Sequence, residues 1–498
     1  MRVLLVNAAT GYVKQKAPLP LGLLSVATHL KNNGHEARIY DRAVEGGGFS
    51  RRLDRFSPGL VGISVPGGMS FADALKLSRV CKKRNIPVVW GGPMASLVPE
   101  LALQSGVVDF VALGDGEAPT LALADALSAG EPAENIAGLA MLRGGEPLVN
   151  KPDRPAGLAG LPVIDFTFVD ASKYFFKNRS CERMLHVYAS KGCTGTCAFC
   201  YNSGLAKGCW RRRPVGYVVE ELRWLKEHYR IDGVYFVDDL IAPDRETLAG
   251  FCRALIAASL DIAWSCDIRA DLFEREDFFL MAEAGCRWVM CGIESGTPAG
   301  QRLIKKYLDL DKARDTMRWC AEAGIFTTAT FITGLPDQTE EDLKQSVAYM
   351  RSLGAQTVIG GIFGPFPATE MTLALVEQGR MRMPATLREW SLAATMHTLG
   401  NNFSRVPSRE LRVIVNRCLY LVMFNRYEFE GARKRLWLGR LAFQLRDMLR
   451  RGNLRSLLLA AVSAKELLEI FWFALMYPGI VKKYGLQRTR TNEGRPRG

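Results

Sequence analysis

The chain has 498 residues, and 48% of them are hydrophobic, which is enough for several packed cores. No apolar run reaches the roughly 18 to 20 residues of a membrane-spanning helix. The 12 cysteines follow no small-domain disulfide pattern, and the first residues, MRVLLVNAA, are typical of a β-strand and not of a secretory signal peptide. We therefore expect about three domains and a cytoplasmic location.

The formal net charge of +14 is distributed very unevenly. Residues 401–498 contain 20 Lys and Arg against 7 Asp and Glu, which is +13. The first 400 residues hold the other 45 against 44, which is +1. The basic character therefore belongs to the C-terminal segment.

Residues 1–145 alternate short apolar runs with segments of helical periodicity, which predicts a doubly wound, Rossmann-like α/β domain with a parallel sheet. The predicted strands are RVLLVNA, EARIYD, LVGISV, IPVVWGG and VDFVALG. Ligands of such sheets bind outside the carboxyl ends of the strands. The loops at those ends are rich in small residues, which let a large ligand approach the backbone closely: Pro66, Gly67, Gly68, Gly91, Gly92, Gly114 and, at the end of the GDGE loop, Glu117. Glycine turns also follow strands that bind nothing, so these loops alone leave both interpretations open.

Residues 146–180 are rich in Pro and Gly without periodicity and are predicted to form an interdomain linker. Strand and helix patterns alternate again over residues 181–378, which predicts a parallel (β/α) barrel with its functional residues at the C-terminal strand ends. The six candidate strands are MLHVYAS, GVYFVDD, IAWSCDI, WVMCGIES, FTTATFITG and TVIGGIF.

Three cysteines with C-x3-C-x2-C spacing, Cys193, Cys197 and Cys200, are the most specific signal in the chain. Three thiolates can bind three irons of a four-iron cluster and leave the fourth open to a substrate or cofactor. The alternative is three buried cysteines that happen to be neighbours, but three in eight residues beside glycines are not typical of a core strand or helix.

This motif, with Phe199 before its last cysteine, resembles that of the radical S-adenosylmethionine (SAM) superfamily. The resemblance implies an incomplete, TIM-type (β/α)6 barrel and a [4Fe–4S] cluster whose open iron is chelated by the amino and carboxylate groups of SAM. It also implies an external electron donor such as flavodoxin or ferredoxin.

The same resemblance assigns SAM contacts to the barrel strand ends. Besides Phe199, these are Asp238, Arg269, Glu294, Ser295 and Gly334. From the residues alone, Asp238 could equally cap a turn and Arg269 could form a surface ion pair. GPFPATEM resembles a family segment that usually contains PGT, but Ala368 replaces that glycine, so the role of this loop is left open.

A doubly wound domain ahead of such a barrel resembles the cobalamin-binding subfamily, whose class B members are methyltransferases. The GGP and GDGE loops are similar to that subfamily's, and the resemblance makes the small-residue loops cobalamin contacts. The chain lacks the D-x-H-x-x-G motif that supplies a cobalt-ligating histidine in many cobalamin proteins. The lower face of the cobalamin is therefore expected to lack a histidine ligand.

Residues 379–498 are predicted to form a basic, mostly α-helical region. They are compatible with helices packed on the barrel. They are also compatible with peripheral contact to the inner face of an anionic membrane, which the apolar run at 470–481 favours. The long aliphatic stretches argue against the third interpretation, nucleic-acid binding.

By resemblance, the function is methylation of an unactivated carbon: a 5′-deoxyadenosyl radical abstracts hydrogen and methylcobalamin supplies the methyl group. A small-molecule or lipid-like substrate, isoprenoid or tetrapyrrole, would suit a membrane location. The alternative within the subfamily is a cyclase or rearrangement enzyme without net methyl transfer. A methylthiotransferase would need cluster cysteines in its N-terminal domain, and here only Cys81 precedes residue 181. A non-enzymatic cobalamin sensor would not need the triad.

Overall fold

The computed structural model describes residues 1–9, 18–153, 157–393, 402–415, 480, 483 and 484. Most of the basic C-terminal segment, including nearly all of the run at 470–481, lies outside the described residues, so its predicted helices and membrane contact stay predictions. In the described part of the chain, no helix is both long and apolar enough to cross a bilayer.

The N-terminal sheet confirms the predicted doubly wound fold. Its parallel strands have the order β2-β1-β3-β4-β5, and the β6-β7 hairpin extends it in antiparallel fashion. The strands are β1 Arg2–Asn7, β2 Glu36–Asp41, β3 Leu60–Ser64, β4 Val88–Gly91, β5 Phe110–Ala112, β6 Leu139–Arg143 and β7 Glu146–Val149. The helices are α1 Leu21–Asn32, α2 Arg42–Glu45, α3 Phe49–Phe56, α4 Phe71–Lys82, α5 Pro93–Leu97, α6 Pro99–Leu103 and α7 Glu117–Ala129. Helices α1 and α7 pack on one face of the sheet, and α3 to α6 pack on the other.

The hairpin carries the first sheet to Val149, past the predicted boundary at residue 145. The predicted linker is also more ordered than its composition indicated, because Ile164, Phe166 and Tyr174 are buried in the core of the second domain. The Ile164 amide donates to Glu221, whose side chain forms a fully buried ion pair with Arg213. The segment therefore packs as part of the barrel wall.

The second domain is a six-stranded parallel sheet in the order β15-β14-β13-β12-β11-β8, with β15 and β8 as its free edges. The predicted incomplete barrel is thus confirmed. Its strands are β8 Met184–Val187, β11 Gly233–Phe236, β12 Ala263–Ile268, β13 Cys286–Glu294, β14 Phe326–Thr333 and β15 Thr357–Ile362. A small antiparallel pair, β9 Ser190–Gly192 and β10 Trp210–Arg212, flanks the cysteine motif.

Nine further helices lie in the described part of the second domain and after it, and both α8 and α16 contact the first domain. They are α8 Tyr201–Leu205, α9 Val215–Tyr229, α10 Arg245–Ala258, α11 Arg275–Glu283, α12 Pro298–Leu303, α13 Leu310–Glu322, α14 Glu340–Ser352, α15 Glu370–Glu377 and α16 Leu387–Ala393. Leu387 and Trp390 of α16 join the core beneath α3 to α6. Helix α16, which follows residue 378, therefore packs against the N-terminal domain.

Candidate functional site

The cysteine motif begins directly after β9, on a loop whose path is tightly constrained. Gly192 has φ +86, and a Cβ at this position would lie 2.2 Å from the Cys209 carbonyl oxygen, so only glycine fits. Cys193, Cys197 and Cys200 are partly exposed, whereas seven of the other described cysteines are buried. Partial exposure distinguishes these three from core cysteines and leaves their sulfurs open to a ligand.

Two of the thiols converge on Gly195. A Cβ on Gly195 would lie 3.4 Å from Cys193 Sγ and 3.7 Å from Cys197 Sγ, and the Gly195 amide donates to Cys193 Sγ at 3.3 Å, so both sulfurs face the same part of the loop. Within the described residues, no three His, Cys, Asp or Glu side chains converge on a single-ion position. A four-iron cluster binds each thiolate at a different iron, so its ligands need not meet at one point.

Burial and nearby charges shift the pKa values of two of the three thiols. Burial raises the pKa of Cys200 to about 11. Burial also raises the pKa of Cys197, but the positive charges of Lys306 and Arg269 oppose that rise. Iron must displace these protons on binding, and the two cations favour the thiolate that results.

The C-terminal end of β13 brings a charged pair close to Cys197. Glu294 has φ +69, a left-handed conformation that is rare outside glycine, and the register with β14 shifts between Gly292 and Glu294. Its Oε1 lies 3.5 Å from Lys306 Nζ and accepts a 3.1 Å bond from Thr330. A Cβ on Gly292 would lie 2.5 Å from Oε1 and 2.6 Å from Nζ, so Gly292 makes room for the pair. Strained backbone of this kind is typical of ligand sites.

Arg269, at the end of β12, is committed to a structural ion pair. Its guanidinium binds Asp271 through bonds of 2.6 and 2.9 Å and donates at 2.7 Å to the Lys306 carbonyl. It thereby holds the segment that carries Lys306 and contributes positive potential near Cys197.

The predicted SAM contact Asp238 faces into the protein. It is 2% exposed, its two oxygens accept from the Ala189 amide at 3.1 Å, and one accepts from the Ser190 hydroxyl. Its neighbour Asp239 is exposed and lines a cavity of about 170 Å³. Of the two acids that follow β11, Asp239 is the one on the cluster side, because its negative charge contributes to the raised pKa of Cys200.

Three of the predicted SAM contacts are packed against neighbouring side chains and do not face open space: Ser295, Gly334 and Phe199. Ser295 is 1% exposed, and its hydroxyl lies 1.9 Å from where a Cβ on Gly300 would stand, so it is packed beneath α12. Gly334, with φ +72, is closed off by Leu411. Phe199 packs partly buried on the apolar cluster around Phe363. All three shape the strand ends from behind.

Strand alternation also brings in residues that sequence patterns did not single out. Asp267 on β12 accepts a hydrogen bond from the Tyr235 hydroxyl, and burial raises its pKa to about 7. His186 lies 6.1 Å from the Tyr235 ring, and burial lowers its pKa to about 4. Lys306 is the other missed group. The period-two pattern of these strands was the signal that could have indicated Tyr235 and Asp267.

The glycine loops of the first sheet end in open space or close packing. Among the described residues, a Cβ on Gly67 or Gly114 would meet nothing within 4 Å, so at these two positions no described side chain covers the backbone. Gly92, with φ +93, is pressed against Val65, whose carbonyl oxygen would lie 3.1 Å from an added Cβ. Of the other predicted contacts, Pro66 is exposed, Gly91 partly buried and Gly68 buried.

Glu117, predicted as a cobalamin contact, is 2% exposed and turned toward the barrel. Its Oε1 accepts hydrogen bonds from Ser25 at 2.5 Å and from Lys191 at 2.7 Å, while its Oε2 is buried with no hydrogen-bond partner among the described residues. A buried oxygen of this kind is rare in proteins, which marks the start of α7 as a position that can accept one further donor.

Family models match both parts of the chain: a B12 binding domain over residues 12–124 and a radical SAM superfamily domain over residues 187–350. An uncharacterized methyltransferase of Pyrococcus horikoshii is 29% identical over 360 residues, which are 71% of this chain and 77% of that protein. An anaerobic magnesium-protoporphyrin IX monomethyl ester cyclase of Synechocystis sp. is 23% identical over 360 residues, which are 70% and 72% of the two chains.

Among solved structures, the radical SAM methyltransferase TsrM from Kitasatospora setae, with cobalamin and a [4Fe–4S] cluster bound, matches with a TM-score of 0.66 at 20% identity. The match covers 80% of this chain and 82% of that one, which supports the order and architecture of the two domains. Because a single chain carries both domains in this order, it belongs to the cobalamin-binding radical SAM enzymes, whose cofactors are a [4Fe–4S] cluster, SAM and cobalamin.

Proposed function

We propose that the enzyme transfers a methyl group to an unactivated carbon of a small or lipid-like substrate. One observation carries the proposal: a single cavity is bordered by the first-domain loops at Gly114 and Asp115 and by Asp239 and Tyr201 beside the cysteines. The loops that we propose as the two cofactor sites thus border one space, as transfer between the cofactors requires.

When bound, the cofactors supply a 5′-deoxyadenosyl radical and a cobalt-held methyl group, and the protein positions and shields them. The three cysteines hold the cluster and leave one iron for SAM. Glu294, Lys306 and Asp239 offer charges of both signs, which suit the amino and carboxylate groups of SAM. Ser295 and Gly334 support these strand ends from behind.

Residues on the inner wall of the barrel, including Tyr235 and Asp267, would orient the substrate. The proposed lipid-like substrate rests on the composition of the C-terminal segment, where basic residues alternate with apolar runs. We further propose a flavodoxin or ferredoxin as the electron donor.

The test is anaerobic turnover with cell lipid extracts as substrate source and SAM carrying a trideuteriomethyl group. Methylation predicts equal amounts of 5′-deoxyadenosine and S-adenosylhomocysteine and a labelled product. The methyltransferase and cyclase relatives make a rearrangement the second candidate. Formation of 5′-deoxyadenosine with a converted substrate but without S-adenosylhomocysteine would establish that candidate and overturn methyl transfer.

A further inference from the structure

We propose that Lys191 is a positioning residue that ties the loop of the cobalamin domain to the cluster loop and so sets the separation of the two cofactors. Lys191 and Arg211 on the barrel side, with Asp115 and Glu117 on the cobalamin side, form what we call the interdomain ion group. The proposal rests on the presence of both cofactors and does not depend on methyl transfer.

The geometry of the interdomain ion group is two cations against two acids. Lys191 Nζ lies 2.7 Å from Glu117 Oε1 and 3.3 Å from Asp115 Oδ1. Arg211 Nη1 lies 2.6 Å from Asp115 Oδ2. Lys191 and Arg211 are directly opposite each other in the β9-β10 pair, so both cations stand on one antiparallel strand pair. Of the two acids, Asp115 lies in the short loop between β5 and α7, and Glu117 is the first residue of α7.

Burial distinguishes this group from surface ion pairs. The side chain of Glu117 is 3% exposed and that of Lys191 is 22% exposed. A buried pair often adds no net stability over apolar residues, and its best-attested use is to fix register. The group also extends further, because Ser25 donates to Glu117 and Tyr188 donates to Ser25. It therefore connects α1, α7 and the start of the barrel.

A short and closely packed segment connects the interdomain ion group to the cluster loop. Lys191 precedes Cys193 by two residues, and Gly192 between them is locked against the Cys209 carbonyl oxygen. On the other side, Glu117 is the first residue of α7 and follows Gly114, whose open end faces the cofactor space. A displacement of either loop is therefore transmitted to the other through Lys191.

The experiment measures the magnetic coupling between the reduced cluster and cob(II)alamin in the holoenzyme reconstituted anaerobically with iron, sulfide and hydroxocobalamin. Both centres are paramagnetic, and their dipolar coupling falls with the cube of their separation. We expect Lys191→Met to retain both cofactors but lose the single well-defined coupling of the native enzyme. Lys191→Arg keeps the cation and should restore it.

The matched control is Lys82→Met. Lys82 pairs with Asp109 at 2.6 Å, and both residues lie inside the cobalamin domain, so this change should leave the coupling intact. If Lys191→Met does not assemble both cofactors, Asp115→Asn replaces it as the test variant. The Asp115 side chain is 30% exposed and pairs with both Lys191 and Arg211. Native coupling in the cofactor-loaded variant, or equal loss in Lys82→Met, would overturn the proposal.

Discussion

The two parallel sheets use their carboxyl ends in opposite ways. The first presents glycine loops with open space at Gly67 and Gly114, while the barrel presents charged side chains such as Glu294 and Lys306. A large, mostly neutral macrocycle needs backbone access, whereas a small zwitterionic ligand needs paired charges. The same edge geometry thus carries small residues on one sheet and paired charges on the other, which suits the two kinds of cofactor.

The largest effect is expected from a cluster cysteine, because its loss should abolish the chemistry of the barrel and leave the first domain unchanged. Cys197→Ser removes one of three iron ligands, so we expect loss of the reduced-cluster EPR signal and of 5′-deoxyadenosine formation. The cobalamin content should remain that of the native enzyme, because the triad lies outside the first sheet. Cys209→Ser, which changes the exposed cysteine near the same loop, is the control and should keep its iron. Loss of cobalamin from Cys197→Ser would contradict the separation.

A smaller effect is expected from the charges at the barrel. Lys306→Met leaves Glu294 without its cation, and charge-assisted bonds of about 1.5 to 3 kcal/mol predict SAM binding weakened by about 10- to 100-fold. Equilibrium dialysis with labelled SAM measures it.

Lys305→Met is the matched control for this prediction. Lys305 is the adjacent lysine, and its pair with Glu370 is largely exposed. The affinity for SAM should therefore stay unchanged in this variant. Equal weakening in both variants would mean that general charge, and not the Glu294 pair, governs binding.

The glycine loops provide the next test, with two alanine substitutions of different expected outcome. Gly92→Ala forces a side chain into a glycine-only conformation beside Val65, at a cost of about 1 to 3 kcal/mol. Gly67 is extended and unobstructed, so Gly67→Ala should change stability by less than about 0.5 kcal/mol. If the open space is the cobalamin site, Gly67→Ala still lowers cobalamin retention. Thermal unfolding and cobalamin absorbance measure the two effects separately.

Most of this architecture could be predicted from the sequence, because strand and helix periodicities are local. The β6-β7 hairpin was predictable too, because a Gly-Gly pair between two short strand-like runs is a strong hairpin signal, which the linker interpretation overlooked. In the structure, Gly144 and Gly145 both have positive φ, as such a turn requires. The triad was found because its spacing is local. Lys306 was not, because its partner Glu294 is brought to it by the bulge in β13.

The choice between Asp238 and Asp239 illustrates the limit of sequence patterns most clearly. Both acids lie in the loop just after β11, where Asp238 is buried and Asp239 is exposed, so a shift of one position exchanges one environment for the other. Likewise, the ion pair between Glu117 and Lys191 depends on the contact between the two domains, which no local sequence pattern can predict. In both cases the local pattern indicated the loop, and tertiary contacts determine which of its side chains are buried and which stay exposed.

The smallest expected effect is a pair of opposite pH dependences, one from each region. Burial raises the pKa of Asp238 to about 7, so its contribution to stability is complete below the unfolded-state pKa and is lost as pH rises through about 7. Burial also opposes ionisation of Asp115, but Lys191 and Arg211 outweigh it and lower its pKa. Its contribution is present above the unfolded-state pKa and is lost as pH falls through the folded one.

Asp238→Asn should therefore flatten the stability curve between the unfolded-state pKa, about 3.9, and about pH 7, by at most about 1.4 kcal/mol per pH unit, while Asp115→Asn should flatten only the part below the unfolded-state pKa. Asp267, whose pKa burial also raises to about 7, accounts for the slope that remains in Asp238→Asn. The unfolding midpoint across both pH ranges measures this. A flattened neutral slope in Asp115→Asn would contradict the assignment, because a carboxylate held between two cations has no proton to lose near neutrality.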